Sequence, residues 1–220
     1  PVIMKRIASF LLLFCLVVSL SAQKVIKVAC VGNSITEGFG LKNPKSDSYP
    51  VVLGRLLGSN YEVRNFGVSG STLILRGGYP YMKRPAYSEA LAYEPDIVTI
   101  KLGTNDSKPE NWQYKEDFIK DMKTMVKAFK KLKSHPTIYL CYPATAYEMR
   151  WNINNGIIEN EIIPIINKVA GKYRLTVIDT HHATAGMKDY FPDGIHPNEE
   201  GSKVIAQTIY KVLASVPSHK

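Results

Sequence analysis

The 220-residue chain has only three cysteines and two tryptophans. Three cysteines are too few for a disulfide-stapled scaffold, and no Cys-x-x-Cys or His-x-x-x-His spacing supplies the usual zinc ligands. No Gly-x-Gly-x-x-Gly run follows the first apolar strand, which counts against a flavin or nucleotide binder. Internal repeats and low-complexity stretches are absent, so a solenoid is excluded. Arginine–aromatic ladders and recognised nucleic-acid motifs are missing as well. That absence matters because the chain is basic, with 28 Lys and Arg against 19 Asp and Glu and a formal charge of +9. The lysines concentrate in 115–133 on one amphipathic helix, where a solvated face explains them. No nucleic-acid partner is expected.

The N-terminal segment has the form of a leader. Met4-Lys5-Arg6 gives a positive start, an apolar run follows over 7–20, and Ser21-Ala22-Gln23 supplies small residues before a polar one. This pattern predicts a secretory signal peptide in 1–22, with Pro1-Val2-Ile3 upstream of its Met4. A membrane anchor is the alternative, but the run is short for a bilayer. Phe14 before Cys15 is too bulky for a lipoprotein site. Cleavage near Ala22 would leave 23–220 as one domain, lower the formal charge to +7 and place the product in the periplasm or outside the cell, without stable membrane insertion. Cys30 and Cys141 then remain, each in an apolar run, and are expected as free, buried thiols.

Beyond the leader, strand and helix signals alternate. β-branched or apolar runs at 25–31, 97–102, 137–142 and 175–179, with a short segment at 61–66, read as five strands. Helical spacing marks 48–57, 115–133, 157–173 and 201–213. Pro164 is expected to start, kink or split the third of these. Apolar strands separated by helices predict an α/β protein, a three-layer α/β/α sandwich around a five-stranded parallel sheet. In such sheets ligands bind beyond the carboxyl ends of the strands. Gly32-Asn33-Ser34, Gly67-Val68-Ser69-Gly70 and Gly103-Thr104-Asn105-Asp106 each follow a strand, so they are expected at one edge.

These segments and one near the C-terminus hold the candidate chemical groups. A serine hydroxyl after a strand is most often a helix cap, and Ser34 alone proves nothing. Thr36 occupies the place of the second glycine of a Gly-x-Ser-x-Gly elbow, which disfavours an ordinary α/β-hydrolase. Asp193-Gly194-Ile195-His196-Pro197 offers an imidazole base with a carboxylate to orient it. A turn explains the same residues, and a metal site with His181 and His182 is a further alternative. Those two histidines are adjacent, however, and point apart on regular structure. Gly70 can give a backbone N–H and Asn105 a side-chain N–H to a developing oxyanion.

Taken together and in this order, the four segments resemble the blocks of the SGNH hydrolases, or GDSL-type esterases. Asn33 stands where aspartate is common, a departure with little bearing on the chemistry. The resemblance runs from Val28 to Gly201 and implies a flavodoxin-like fold. It also implies Ser34, Asp193 and His196 as catalytic residues, and an oxyanion hole of Ser34, Gly70 and Asn105. No metal and no organic cofactor is implied. The first block also resembles those of bacterial carbohydrate O-acetylesterases such as sialate and xylan O-acetylesterases. The expected activity is removal of a short acyl group, acetyl first, from a small or oligosaccharide ester. The alternatives are a lysophospholipase or thioesterase for longer chains, and a non-catalytic carbohydrate-binding protein. Two long connections, 70–86 and 143–156, bring Arg76, Tyr79, Tyr147, Arg150 and Trp151 as candidate substrate-binding residues. Nothing in the sequence specifies an oligomer.

Overall fold

A computed structural model describes residues 24–215. The leader expected in 1–22 lies outside them. Five strands form one parallel sheet: β1 (Ile26–Gly32), β2 (Tyr61–Gly67), β3 (Ile97–Lys101), β4 (Thr137–Cys141) and β5 (Thr176–Ile178). Their order, β2-β1-β3-β4-β5, is the doubly wound order that the flavodoxin-like expectation requires. Each strand lies within a residue or two of the segment expected from its apolar run.

Because side chains alternate along a strand, the sheet feeds two cores. Val28, Cys30, Tyr139, Cys141 and Ile178 point to one face. There they meet α2 (Tyr49–Leu57) and α6 (Glu199–Ser215) through Leu53, Ile205 and Ile209. Ala29, Val31, Val98, Ile100 and Leu140 point to the other face. There they meet α3 (Pro85–Ala92), α4 (Lys115–Lys130) and α5 (Ile163–Tyr173). The lysine-rich helix buries Phe118, Met122, Met125, Val126 and Phe129, together with Asp121, and turns its lysines outward.

Two local findings refine the sequence reading. Pro164 lies inside one continuous helical run, 155–173: it is the second residue of α5, directly after a widened π turn at Ile158–Ile162. With no N–H to give, proline removes one intrahelical bond, and the turn before it widens so that the Ile163 N–H reaches Ile158 O, five residues back. Helix α3 carries no signal in the sequence reading. It is short, opens on Pro85 and buries only Ala90 fully, so its apolar stripe is too thin to read.

Cys30 and Cys141 are buried and unbonded. They lie on β1 and β4 with β3 between them, a separation of two strand spacings, which exceeds the reach of a disulfide. Among the described residues no helix is long and apolar enough to cross a membrane.

The first turn after β1, α1 (Ser34–Glu37), stands on the carboxyl edge of the sheet. It fits because Gly67, at the end of β2, has no side chain: a Cβ there would lie 2.1 Å from the Glu37 backbone nitrogen. Beside it, the last residue of β3 is Lys101, 1% exposed, with an ammonium nitrogen that has no protein partner. Burial lowers its pKa to about 8 from the ordinary 10.5. The unfolded chain therefore takes up a proton between pH 10.5 and 8 that the folded chain resists, so stability is lost as pH falls through that window. Below pH 8 the cost is about 3 kcal/mol at most. Lys101→Met is expected to raise the unfolding free energy at pH 7 by about 1–3 kcal/mol, with the gain shrinking toward pH 10.5. Denaturant unfolding of both proteins across pH 7–10.5 measures it, and a pH-independent difference would reject the electrostatic account.

Candidate active site

Ser34 is the first residue of α1, and the helix begins there because the Asn33 side chain accepts the Ile35 N–H at 3.1 Å. Asn33 is thus a cap, consistent with a structural role at that position. The hydroxyl of Ser34 lies 2.8 Å from His196 Nε2. On the other side of the ring, Nδ1 lies 2.8 Å from Asp193 Oδ2. The second oxygen of Asp193 accepts the Ile195 and His196 backbone N–H groups at 2.9 and 2.7 Å. One carboxylate therefore shapes its own turn and fixes the imidazole tautomer, Nδ1 donating to Asp193 and Nε2 facing the hydroxyl. Ser34 and His196 are both buried, at 8% and 7% exposure.

Burial dominates the His196 titration and pushes its pKa below the ordinary 6.5. The Asp193 hydrogen bond opposes that shift, and the charges of Arg150 and Lys101 add to it. Burial raises the Asp193 carboxyl, but the His196 and Ile195 donors outweigh it and hold the group below its usual range. The pair is thus a neutral imidazole beside a carboxylate at pH 7, the state a general base needs.

Three donors face the same cleft. As the first helical residue, Ser34 has an N–H with no intrahelical acceptor. Among the described residues the Gly70 N–H also has no protein acceptor. Gly70 is glycine for its backbone: φ is +76°, while a Cβ would meet nothing within 4 Å. Asn105 commits one amide hydrogen to Ser71 O at 3.0 Å and keeps the other. The cleft that Ser34, Gly70, Asn105 and His196 line is small, about 190 Å³. Such a site can generate a serine nucleophile and hold an oxyanion.

Side-chain-to-backbone bonds pin the loops that carry these groups. Asn65 donates to Thr36 O at 2.7 Å and accepts the Gly67 N–H at 2.8 Å. The Glu37 carboxylate accepts the Ser69 N–H at 2.8 Å and also the Ser69 hydroxyl. Asp106 accepts the Leu73 and Ile74 N–H groups at 3.0 and 2.8 Å, and burial raises its pKa to about 6. Sequence reasoning assigned none of these three a role, although Asp106 falls inside a quoted motif.

Of the five candidate binding residues, Trp151 lines the cleft and Arg150 stacks on its ring at 4.7 Å. The structure puts the other three elsewhere. Arg76 pairs with Asp117 and stacks on Tyr114. Tyr79 sits under Arg84, outside the lining residues. The Tyr147 hydroxyl donates to Thr184 O and accepts the Met187 N–H at 2.7 Å, so this ring braces its loop. Sequence reasoning missed Phe39, whose ring centre lies 4.6 Å from that of His196, and Lys108. An aromatic just beyond the serine motif and a lysine three residues after Asn105 were the available signals.

His181 bonds to Pro143 O at 3.1 Å and His182 to Asp179 at 2.7 Å, with their rings at 80°. Among the described residues no three His, Cys, Asp or Glu side chains gather as metal ligands.

A sequence model of the GDSL-like Lipase/Acylhydrolase family matches residues 30–204. The chain is 46% identical over 205 residues to an acetylxylan esterase of Xylanibacter ruminicola. That match covers 85% of this chain but 43% of the relative, so the chain spans less than half of that protein's length. A lipase/acylhydrolase from Enterococcus faecalis superposes with a TM-score of 0.73 at 23% identity, covering 89% of this chain and 100% of the other. A carbohydrate acetylesterase from Sinorhizobium meliloti gives 0.68 at 20% identity, covering 86% and 99%. At these identities the two structures speak for the fold.

Titration of His196 followed by NMR is expected to give a midpoint below 6.5. Asp193→Asn removes the interaction that raises it and should lower the midpoint further. A wild-type midpoint above 6.5 would contradict the burial argument.

Proposed function

The chain belongs to the GDSL-like lipase/acylhydrolase family, and on that premise we propose that it is a serine ester hydrolase that removes acetyl groups from carbohydrates. The observation that carries the reading is the Asp193–His196–Ser34 relay, with both of its hydrogen bonds at 2.8 Å, beside three unsatisfied N–H donors. His196 takes the Ser34 proton as Oγ attacks the ester carbonyl. The resulting oxyanion is held by the Ser34 and Gly70 amides and the Asn105 carboxamide. His196 then protonates the departing sugar oxygen, leaving an acyl-serine. Water attacks that ester with His196 again as base, releasing acetate and restoring Ser34. Asp193 stays ionised throughout and stabilises the imidazolium.

The small cleft favours a short acyl group, because a long chain finds no enclosed channel among its lining residues. The carbohydrate part of the reading draws on the acetylxylan esterase relative. The leader pattern in 1–22 supports action outside the cytoplasm. Exposed Phe39, Met149 and Trp151 favour one rival, a hydrolase of longer acyl chains.

Initial rates on p-nitrophenyl acetate, butyrate and octanoate, wild type beside Ser34→Ala, separate the readings. Acetate is expected to be fastest, and Ser34→Ala to lose at least about 10³-fold. Asn105→Ala is expected to lose roughly 10²–10³-fold in turnover, the scale of one oxyanion donor. Octanoate as the best substrate would favour the rival; full activity in Ser34→Ala would reject the mechanism.

A further inference from the structure

The mouth of the cleft carries a charge that the proposed chemistry does not use. Lys108 is the only permanently charged side chain among the described residues lining it, and no Asp or Glu lines it at all. The neighbouring carboxylates are already occupied: Glu37 by Ser69, Asp106 by Leu73 and Ile74, Asp193 by its own turn and His196. Among the described residues Lys108 makes no ion pair. Its backbone is nonetheless held. The Lys108 carbonyl accepts the Asn111 and Trp112 N–H groups at 2.9 and 2.8 Å, as the cap of the short helix Pro109–Trp112. The Lys108 backbone is therefore fixed three residues from Asn105, and the residue as a whole is half-buried.

Beside it stand two aromatic rings that folding has left exposed. Phe39 and Trp151 are 49% and 45% exposed, and their centres lie 4.6 and 5.3 Å from that of His196. They meet edge to face at 6.4 Å. The backbone at Trp151 and Asn152 is left-handed, with φ of +50° and +61°, a conformation that costs non-glycine residues energy. Arg150, which is not among the lining residues, stacks on the Trp151 ring and brings a second positive charge to that ring. Half-exposed rings next to the reacting atoms suit the C–H face of a pyranose. An unpaired cation on the cleft wall suits a carboxylate.

We propose that this mouth is a leaving-group subsite for an acidic sugar, with Phe39 and Trp151 packing against the ring and Lys108 pairing with its carboxylate. The inference rests on the sugar-ester reading above and adds the substrate's charge. The esters it selects are those whose acetyl group sits on, or next to, a sugar that bears a carboxylate. Lys108 is then a specificity residue that contributes to binding and leaves proton transfer to His196.

A matched set of three substrates tests this: a mono-O-acetylated methyl glucoside, the corresponding methyl glucuronoside, and the methyl ester of that glucuronoside. At low salt, wild-type kcat/KM is expected to be about tenfold higher for the glucuronoside than for either neutral compound, the scale of one charge-assisted hydrogen bond. Added salt should narrow the gap. Lys108→Gln should bring the ratio to about one, Lys108→Glu should push it below one, and Lys108→Arg should retain most of it. Because the readout is a ratio within each variant, any general loss of activity or folding cancels. Equal rates on all three substrates in the wild type, or an undiminished ratio in Lys108→Gln, would overturn the subsite while leaving the sugar-ester reading intact. Failure to cleave any of the three while p-nitrophenyl acetate is still hydrolysed would overturn that reading and the subsite with it.

Discussion

A hydrogen bond of 2.8 Å joins Ser34 and His196, residues 162 positions apart, and the architecture can be understood as what holds that bond in place. Such a bond weakens steeply when its donor angle falls below about 120°. The two residues meet because β1 is interior to a parallel sheet whose strands all end at one edge, and because His196 lies in the segment that runs from the carboxyl end of β5 to the start of α6. The doubly wound order puts β1 and β3 side by side at the point where the connections diverge to opposite layers. Loops that leave β1, β2 and β3 there must converge. Residues Gly32, Gly67 and Lys101 are in register across those three strands, so Ser34, Gly70 and Asn105 start from a common line.

Convergence alone would leave floppy loops, and the remedy is the same at each one. A polar side chain takes the backbone N–H groups that no strand or helix satisfies. Asn33 does this for Ile35, Asn65 for Gly67, Glu37 for Ser69, Asp106 for Leu73 and Ile74, and Asp193 for Ile195 and His196. Unpaired amides are therefore scarce at this edge, which gives meaning to those left free at Ser34 and Gly70. Burial, where it occurs, also sets the protonation states. It disfavours charge on His196, Lys101 and Asp106 alike, and it leaves the Asp193 carboxylate ionised only because three N–H donors face it.

What the sequence made legible follows from how locally each feature is encoded. The strands could be read because a buried parallel strand needs a short unbroken apolar run. The relay residues could be read because Asp193 and His196 share one turn and each oxyanion donor follows a strand end directly. Other features depend on distant partners. Arg76 is drawn to Asp117, 41 residues away, and Tyr147 to Thr184, 37 residues away, so loop composition could not show that both leave the cleft. Helix α3 has too few buried residues to make a stripe. Lys101 was hidden for a different reason: it ends an apolar run, where a charged residue reads as the solvated end of a strand, and only the packed structure shows it enclosed.

The mouth of the cleft contrasts with its floor. At the floor the fixing bonds are short, and Ser34, Asn105 and His196 are buried; at the mouth Trp151 and Asn152 hold a costly backbone and Phe39 faces solvent. Residues in sparsely populated conformations persist only where the surroundings over-determine them. Here the Ile153 N–H bonds to Arg150 O at 3.1 Å, the Asn154 N–H to the Ser107 hydroxyl at 3.0 Å, and the Ala146 N–H to the Asn155 side chain at 2.9 Å. Ser107 belongs to the same turn as Asn105 and Asp106, and Lys108 follows it directly. The loop that presents Trp151 is thus fastened to the segment that presents both Asn105 and the unpaired lysine. In the proposed reading, a sugar seated on the ring is positioned by the same few residues after β3 that would meet the developing negative charge. Binding at the mouth and chemistry at the floor would then share one support, the geometry that lets contacts remote from the scissile bond orient it.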